Sequence, residues 1–452
     1  MVTRQATPRA PLGMFQRYLS AWEKIKWSWQ PETYREAGDS VVRNFLLHWF
    51  PAKVTRESLS WNYSFWLGTV SAVLFAILVL TGIPLMFLYV PSVERAYLSV
   101  KDIEYAVSYG WFLRGLHRIS AHLMVAVVFL HMVRVFLTGA YKNGTAVNQN
   151  RPLNWIVGIV LLLLTLLLSF TGYLLPWDQL AYWAITVGTN IASAAPVVGE
   201  QMRFFLLGGT TIEQNTLIRF YVLHCFFLPL LVTLLFSYHM WRARKDGGLA
   251  CVDRLSLFQK KEKAAPIRSK TYSLLGITSG STVHVETAII DEDKHTVMSS
   301  PNLTRRLLVV MLGTIAVASI LTILFSAPLE EPANPAVTPN PAKAPWYFLW
   351  LQELVTITTF TIGGFTVNGA LIGGIILPGV LVLAALVWPY LDKSPTTAIG
   401  VWWASERRRQ NMVFIVIVAA ILLFTIIGTF LRGPYWNFYW PWESWPEMPR
   451  KF

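Results

Sequence analysis

Charged side chains are scarce in this sequence. Asp, Glu, Lys and Arg make up 14% of its 452 residues, against about 25% in a soluble domain. That is too little charge to cover a surface in water. With 54% hydrophobic residues and a mean hydropathy of +0.45, the chain belongs in a bilayer, and disorder and collagen-like repeats are excluded. Cysteine is scarcer still. Cys225 lies in an apolar run and Cys251 in a polar one, 26 residues apart. They form no disulfide scaffold, no CxxC pair and no CxxCH haem-attachment motif. There is no internal repeat, and the N-terminus lacks the short apolar core and small-residue cleavage site of a signal peptide.

Long apolar runs are what the chain does have. Seven are long enough to cross roughly 30 Å of hydrocarbon: 66–89, 117–137, 155–175, 220–240, 307–325, 371–388 and 412–431. Ahead of them, residues 12–50 alternate aromatic and basic side chains (Phe15, Arg17, Trp22, Lys24, Lys26, Trp27, Trp29). An interfacial segment has that pattern, with a solvated tail as the plainer reading. Of the 38 Lys and Arg residues, 27 fall in the N-terminal segment and the second, fourth and sixth connections, and only 7 on the opposite side. Positive charge stays in the cytoplasm, so the N-terminus is expected inside and the C-terminus outside. The net charge of +13 is then mostly topology, and no nucleic-acid partner is expected. The third and fifth connections, about 44 and 45 residues, are rich in Pro, Gly and aromatics and lie outside. Long loops in a compact protein are usually functional.

Histidine carries the chemistry. His117 and His131 stand 14 residues apart in the second span, and His224 and His239 stand 15 apart in the fourth. At 100° per residue these steps leave offsets of about −40° and +60°, so each pair shares a helix face and is separated by roughly 21–22 Å of rise. Both spans run outside to inside. His117 can therefore meet His224, and His131 can meet His239, as two bis-imidazole sites suited to two haems. A lone intramembrane histidine is more often a hydrogen-bonded core residue or a proton relay; two matched pairs are not. His122 breaks the pattern and is expected to be structural. Gly68 and Gly82 in the first span, and Gly158 and Gly172 in the third, repeat the 14-residue step. Helix packing uses glycine as well, but a flat porphyrin edge needs a backbone without Cβ at each level. Arg114, Arg118, Arg134 and Arg219 lie at or inside the spans, where unpaired charge is costly. Haem propionates would supply their anions, with Arg114 and Arg219 in reach of the outer haem.

These residues resemble cytochrome b of quinol-oxidising cytochrome bc and bf complexes. The likeness runs through Trp111-Phe-Leu-Arg-Gly-Leu-His117, Leu130-His131-Met-Val-Arg134, Gly172-Tyr-Leu-Leu-Pro-Trp-Asp-Gln179 and Arg219-Phe-Tyr-Val-Leu-His224. The 15-residue step to His239 is similar to the chloroplast-type branch. From about 305 onward, Glu331-Pro-Ala-Asn-Pro335 and Pro345-Trp-Tyr347 resemble that branch's separate subunit IV.

The resemblance implies an all-α integral membrane protein. Its parts would be a cytoplasmic interfacial segment (1–60), a four-helix dihaem domain (61–250), a cytoplasmic linker (251–303), a subunit IV-like three-helix domain (304–432) and an outer tail (433–452). It implies two non-covalent b-type haems and quinol oxidation at an outer pocket. The electrons would go to a Rieske iron–sulfur protein, then a cytochrome c, and to an inner quinone site, in a homodimeric complex of a bacterial cytoplasmic membrane. Two departures matter. The family's outer-site glutamate before Trp346-Tyr347 is Pro345 here. Glu353 is then the nearest carboxylate, either as proton acceptor or as a solvated or structural group. The branch's cysteine for a covalent extra haem is Trp66, so no covalent haem is expected. The alternative is a dihaem anchor linking a peripheral dehydrogenase to quinone, which would leave the last three spans unexplained; a transporter is more distant.

Overall fold

A computed structural model describes residues 33, 53–144, 149–246, 267–268, 282–283 and 296–446. The rest of the segment at 12–50, Cys251 and the charge runs of the linker lie outside the described residues. Inside hydrocarbon every backbone N–H and C=O must be satisfied within its own segment, and the seven apolar runs accordingly form helices. They are α1 (Leu67–Leu88), α3 (Gly110–Leu137), α4 (Arg151–Tyr173), α7 (Gln214–Lys245), α8 (Ser299–Leu324), α10 (Gly369–Leu391) and α11 (Ser405–Leu431). Most extend beyond the apolar run by up to two turns, because polar ends continue a helix once it has left the lipid. At α8 the helical stretch begins at Ser299, with a kink at Ser300.

The first, third and fifth connections also hold short helices: α2 (Ala96–Tyr105), α5 (Gln179–Ser193), α6 (Gly199–Leu207) and α9 (Leu349–Ile357). Asp178 caps α5, its carboxylate accepting from Ala181 N at 2.9 Å. Ala96, Leu174, Trp177, Ile185, Leu207, Leu217 and Phe220 bury together and tie α2, α5 and α6 to the ends of α4 and α7. After α9, a hairpin of β3 (Phe360–Ile362) and β4 (Phe365–Val367) turns on Gly363-Gly364, both at positive φ as the tight turn requires.

The described residues fall in two compact units. One contains 53–65, 243–246 and 296–310, and the other 66–242 and 311–446 without 145–148. In the first, β1 (Lys53–Thr55) pairs antiparallel with β2 (Thr296–Met298), Val54 opposite Val297. In the second, Leu74 and Ile77 of α1 and Ala318 of α8 are buried with Leu116, Leu123 and Val127 of α3 around them. A methyl group at Gly115 would stand 2.8 Å from Thr322 Cγ2, so α3 and α8 approach closely there.

Candidate functional site

The structure brings the four histidines together in the two expected pairs. The rings of His117 and His224 are 6.2 Å apart, inclined at 74°; those of His131 and His239 are 6.5 Å apart, inclined at 82°. Residues 223–227 form a π-helical turn that contains His224. Such a turn takes up one residue more than an α turn and occurs at functional sites. It absorbs the extra residue of the 15-residue step, so His239 faces the same way as a 14-residue step would leave it.

Each imidazole sits against one glycine. A Cβ at Gly68 would lie 3.2 Å from His131 Cε1, one at Gly82 3.2 Å from His117 Cε1, and one at Gly158 3.4 Å from His239 Cε1. At Gly172 it would overlap His224, 2.9 Å from both ring nitrogens. The glycines thus make room for the imidazoles themselves. Nδ1 of His117 donates to Thr81 Oγ1 at 2.9 Å, whose own hydrogen goes to the Ile77 carbonyl. Nδ1 of His224 lies 3.1 Å from the Leu168 carbonyl and 3.2 Å from Thr171 Oγ1. A donating Nδ1 leaves the Nε2 lone pair as the ligand atom.

The donor set fits haem. Metal–imidazole bonds of about 2 Å place two rings on one metal roughly 6 Å apart centre to centre. Among the described residues no group of three or more His, Cys, Asp or Glu could hold a metal ion. Two imidazoles at this separation supply two ligands, and a macrocycle would supply the rest.

Arg114, Arg118 and Arg219 meet acceptors within the chain. Arg114 is buried and pairs with Glu104 at 2.7 Å, and it also donates to the Ala327 and Pro328 carbonyls at 2.8 and 2.7 Å. Its anion is supplied by the protein, so a propionate is not needed there. Arg219 donates to the Phe205 carbonyl at 2.6 Å and lies over the Phe205 ring. Arg118 reaches the Pro328 carbonyl at 3.4 Å. Arg134 is buried in α3.

At the His117 end, Gln179 bonds Val337, Asn334 and Glu331, and with 331–335 and Val337 it lines a pocket. Pro345 begins the turn 346–348. Tyr347 is buried, and burial pushes its phenol up to about 12 against the pull of Ser169 and Arg118. Trp346 is 41% exposed and donates its indole N–H to His122 Nδ1 at 3.2 Å. Glu353, only 2% exposed, has both oxygens on Arg432: Oε1 to Nη2 at 2.6 Å and Oε2 to Nε at 2.8 Å. A bidentate guanidinium thus engages both carboxylate oxygens, the geometry of a structural ion pair. Trp66, where a covalent attachment would need cysteine, is buried two residues before Gly68.

Sequence reasoning missed a cluster at the opposite end. Fully buried Arg407 donates to the Phe136 and Leu137 carbonyls and to Tyr141 Oη, and stands 3.4 Å from Asp392. Tyr141 donates to Asp392 at 2.6 Å, and Lys142 reaches the Asp392 and Ser394 carbonyls. Burial opposes ionisation of Asp392, but bonds from Tyr141 and Ser394 and the Lys142 charge hold its carboxyl well below the usual carboxylate range.

Fold and site together define an all-α integral membrane protein with two stacked imidazole pairs between two helices. Residues 53–247 match the family model described as Cytochrome b/b6/petB, and residues 332–439 the model Cytochrome b(C-terminal)/b6/petD. Cytochrome b6 of Porphyra purpurea is 43% identical over 186 residues, 41% of this chain and 84% of that protein. Cytochrome b6 of a Picosynechococcus species is 41% identical over 218 residues, 46% of this chain and 96% of that protein. A solved structure, "Hyperthermophilic respiratory Complex III", shares the fold with a TM-score of 0.65 at 23% identity, over 92% of this chain and 90% of that one. The chain belongs to the cytochrome b/b6 family, which implies b-type haem and membership of a bc- or b6f-type redox complex.

Proposed function

We propose that this chain is the cytochrome b subunit of a proton-translocating quinol:cytochrome c oxidoreductase in a bacterial cytoplasmic membrane. One observation carries the reading: two imidazole pairs, 6.2 and 6.5 Å apart, are stacked on the same two helices, each ring seated on its own glycine. One non-covalent haem bound by each pair supplies reversible one-electron transfer at its own depth. The protein's residues fix the rings: Thr81, Thr171 and the Leu168 carbonyl hold Nδ1, and Gly82 and Gly172 admit the imidazoles.

On the charge asymmetry, the His117 end faces outward. Quinol binds there beside Trp346 and Tyr347, one electron leaves to a Rieske iron–sulfur protein and on to a cytochrome c, and the other crosses to an inner quinone site. Protons leave on the outer side, and the complex works as a homodimer. The match of residues 332–439 to the C-terminal family model accounts for spans that a four-helix dehydrogenase anchor would not need.

His131→Ala or His239→Ala is expected to halve the haem-to-protein ratio and remove one of two components from the redox-difference spectrum. Acid–acetone should extract all haem from the wild type, since Trp66 offers no thiolate. Two bis-histidine signals surviving in either mutant, or haem left on the chain, would refute this reading. Co-purification of a Rieske protein separates it from the anchor.

A further inference from the structure

Pro345 cannot take a proton, and the oxygens of Glu353 are both held by Arg432. Beside the Pro345-Trp346-Tyr347 turn, the described residues offer one other proton acceptor in contact, His122 of α3. Its ring lies 6.0 Å from that of Tyr347, and its Nδ1 accepts from Trp346 Nε1–H at 3.2 Å. Indole is a donor only, so Nδ1 carries no hydrogen and the neutral ring keeps its hydrogen on Nε2. Trp346 itself is 41% exposed. The charged and titratable groups facing His122 are Arg118, one turn earlier on α3, and the Tyr347 phenol; Tyr173 and Asp178 act on Arg118 in turn. Among the described residues no carboxylate faces the ring directly.

We propose that His122 accepts the quinol proton at Nδ1, with Trp346 holding that lone pair until a quinol hydroxyl replaces it. The inference rests on the quinol-oxidising reading above. The quinol O–H bond breaks, an N–H bond forms at Nδ1, and the quinolate keeps the electron pair. Its two electrons then leave to the iron–sulfur oxidant and the inner path already named, and the second hydroxyl releases its proton to outer water as the quinone forms. The imidazolium returns its proton to outer water, helped by repulsion from Arg118.

The test is quinol–cytochrome c turnover of the purified complex from pH 5 to 9. His122→Gln keeps an acceptor for Trp346 but no base, and should lose about 100-fold or more of the rate, with both haem spectra and inner-site reduction intact. Trp346→Phe frees Nδ1 and should move the acid limb of the pH–rate profile to higher pH by about one unit. Turnover of His122→Gln within threefold of wild type would overturn the assignment, as would a Trp346→Phe profile that superimposes on wild type. If His122→Gln does not assemble haem, the Trp346→Phe profile decides. A wild-type complex with two haems and no quinol oxidation would instead sink the functional reading.

Discussion

Replacing the four helix glycines by alanine tests whether they exist to seat the imidazoles. Apolar contacts are comfortable at about 3.5–4.0 Å. A Cβ at Gly172 would stand 2.9 Å from His224 Nδ1 and Nε2, so the ring must retreat by at least ~0.6 Å. Metal–ligand distances tolerate about 0.2 Å, so this ring leaves ligating position. At Gly68 and Gly82 the contacts are 3.2 Å, and at Gly158 3.4 Å; the required retreats are about 0.3 and 0.1 Å. Overpacking of this kind costs about 1–3 kcal/mol, or roughly 5- to 150-fold in haem affinity. Alanine is also the better helix former by about 1 kcal/mol, so helix weakening cannot be the cause of a loss. Potentiometric titration of the haem difference spectrum reads the outcome. Gly172→Ala should lose or shift one of two components, Gly68→Ala and Gly82→Ala should show partial effects, and Gly158→Ala should keep both. Unshifted midpoints and full occupancy in Gly172→Ala, or a loss confined to Gly158→Ala, would refute the steric argument.

Breaking one side of a buried ion pair costs about 3–5 kcal/mol. Glu353→Gln should therefore lower the melting temperature of the complex, and Glu353→Leu combined with Arg432→Met should recover most of it. A Glu353→Gln protein of unchanged stability that fails only in quinol oxidation would restore Glu353 as the base. Asp392 gives a pH test with a definite sign. Its folded carboxyl is held below the unfolded value of about 3.9, so its stabilising effect is complete above that value and fades as pH falls toward the folded one. Asp392→Asn should melt earlier at pH 7 and lose part of the fall in melting temperature seen below about pH 4. An acid limb identical to wild type would count against the Tyr141–Asp392–Lys142 arrangement.

What was readable in the sequence follows from the distance between partners. The seven helices and the histidine frame depend on local periodicity, and one helix's pattern can be counted without knowing its neighbours. The short helices α2, α5, α6 and α9 lie in connections that read as loops, because 9 to 15 residues give too few turns for a helical period to stand out. Long-range partners were not readable. Arg407 counts in sequence as one more inside charge, yet it is fully buried on the carbonyls of Phe136 and Leu137, some 270 residues earlier. Glu353 has its partner 79 residues downstream, near the C-terminal tail. Nothing in a charge count distinguishes such residues from solvated ones.

The spacing of the histidines carried more information than helical arithmetic extracts. Steps of 14 and 15 residues differ by one residue, or about 100° of rotation, and on ideal helices both pairs could not face one another equally well. The two ring separations nevertheless agree within 0.3 Å, 6.2 against 6.5 Å. The π turn at 223–227 resolves the mismatch, since it consumes one residue without the rotation that residue would bring in an α turn. A 15-residue step on one helix opposite a 14-residue step on the other is therefore itself a signal that a wide turn lies between the two ligands. The turn begins at Leu223, next to the first ligand, so the extra residue is absorbed before the second ligand is reached.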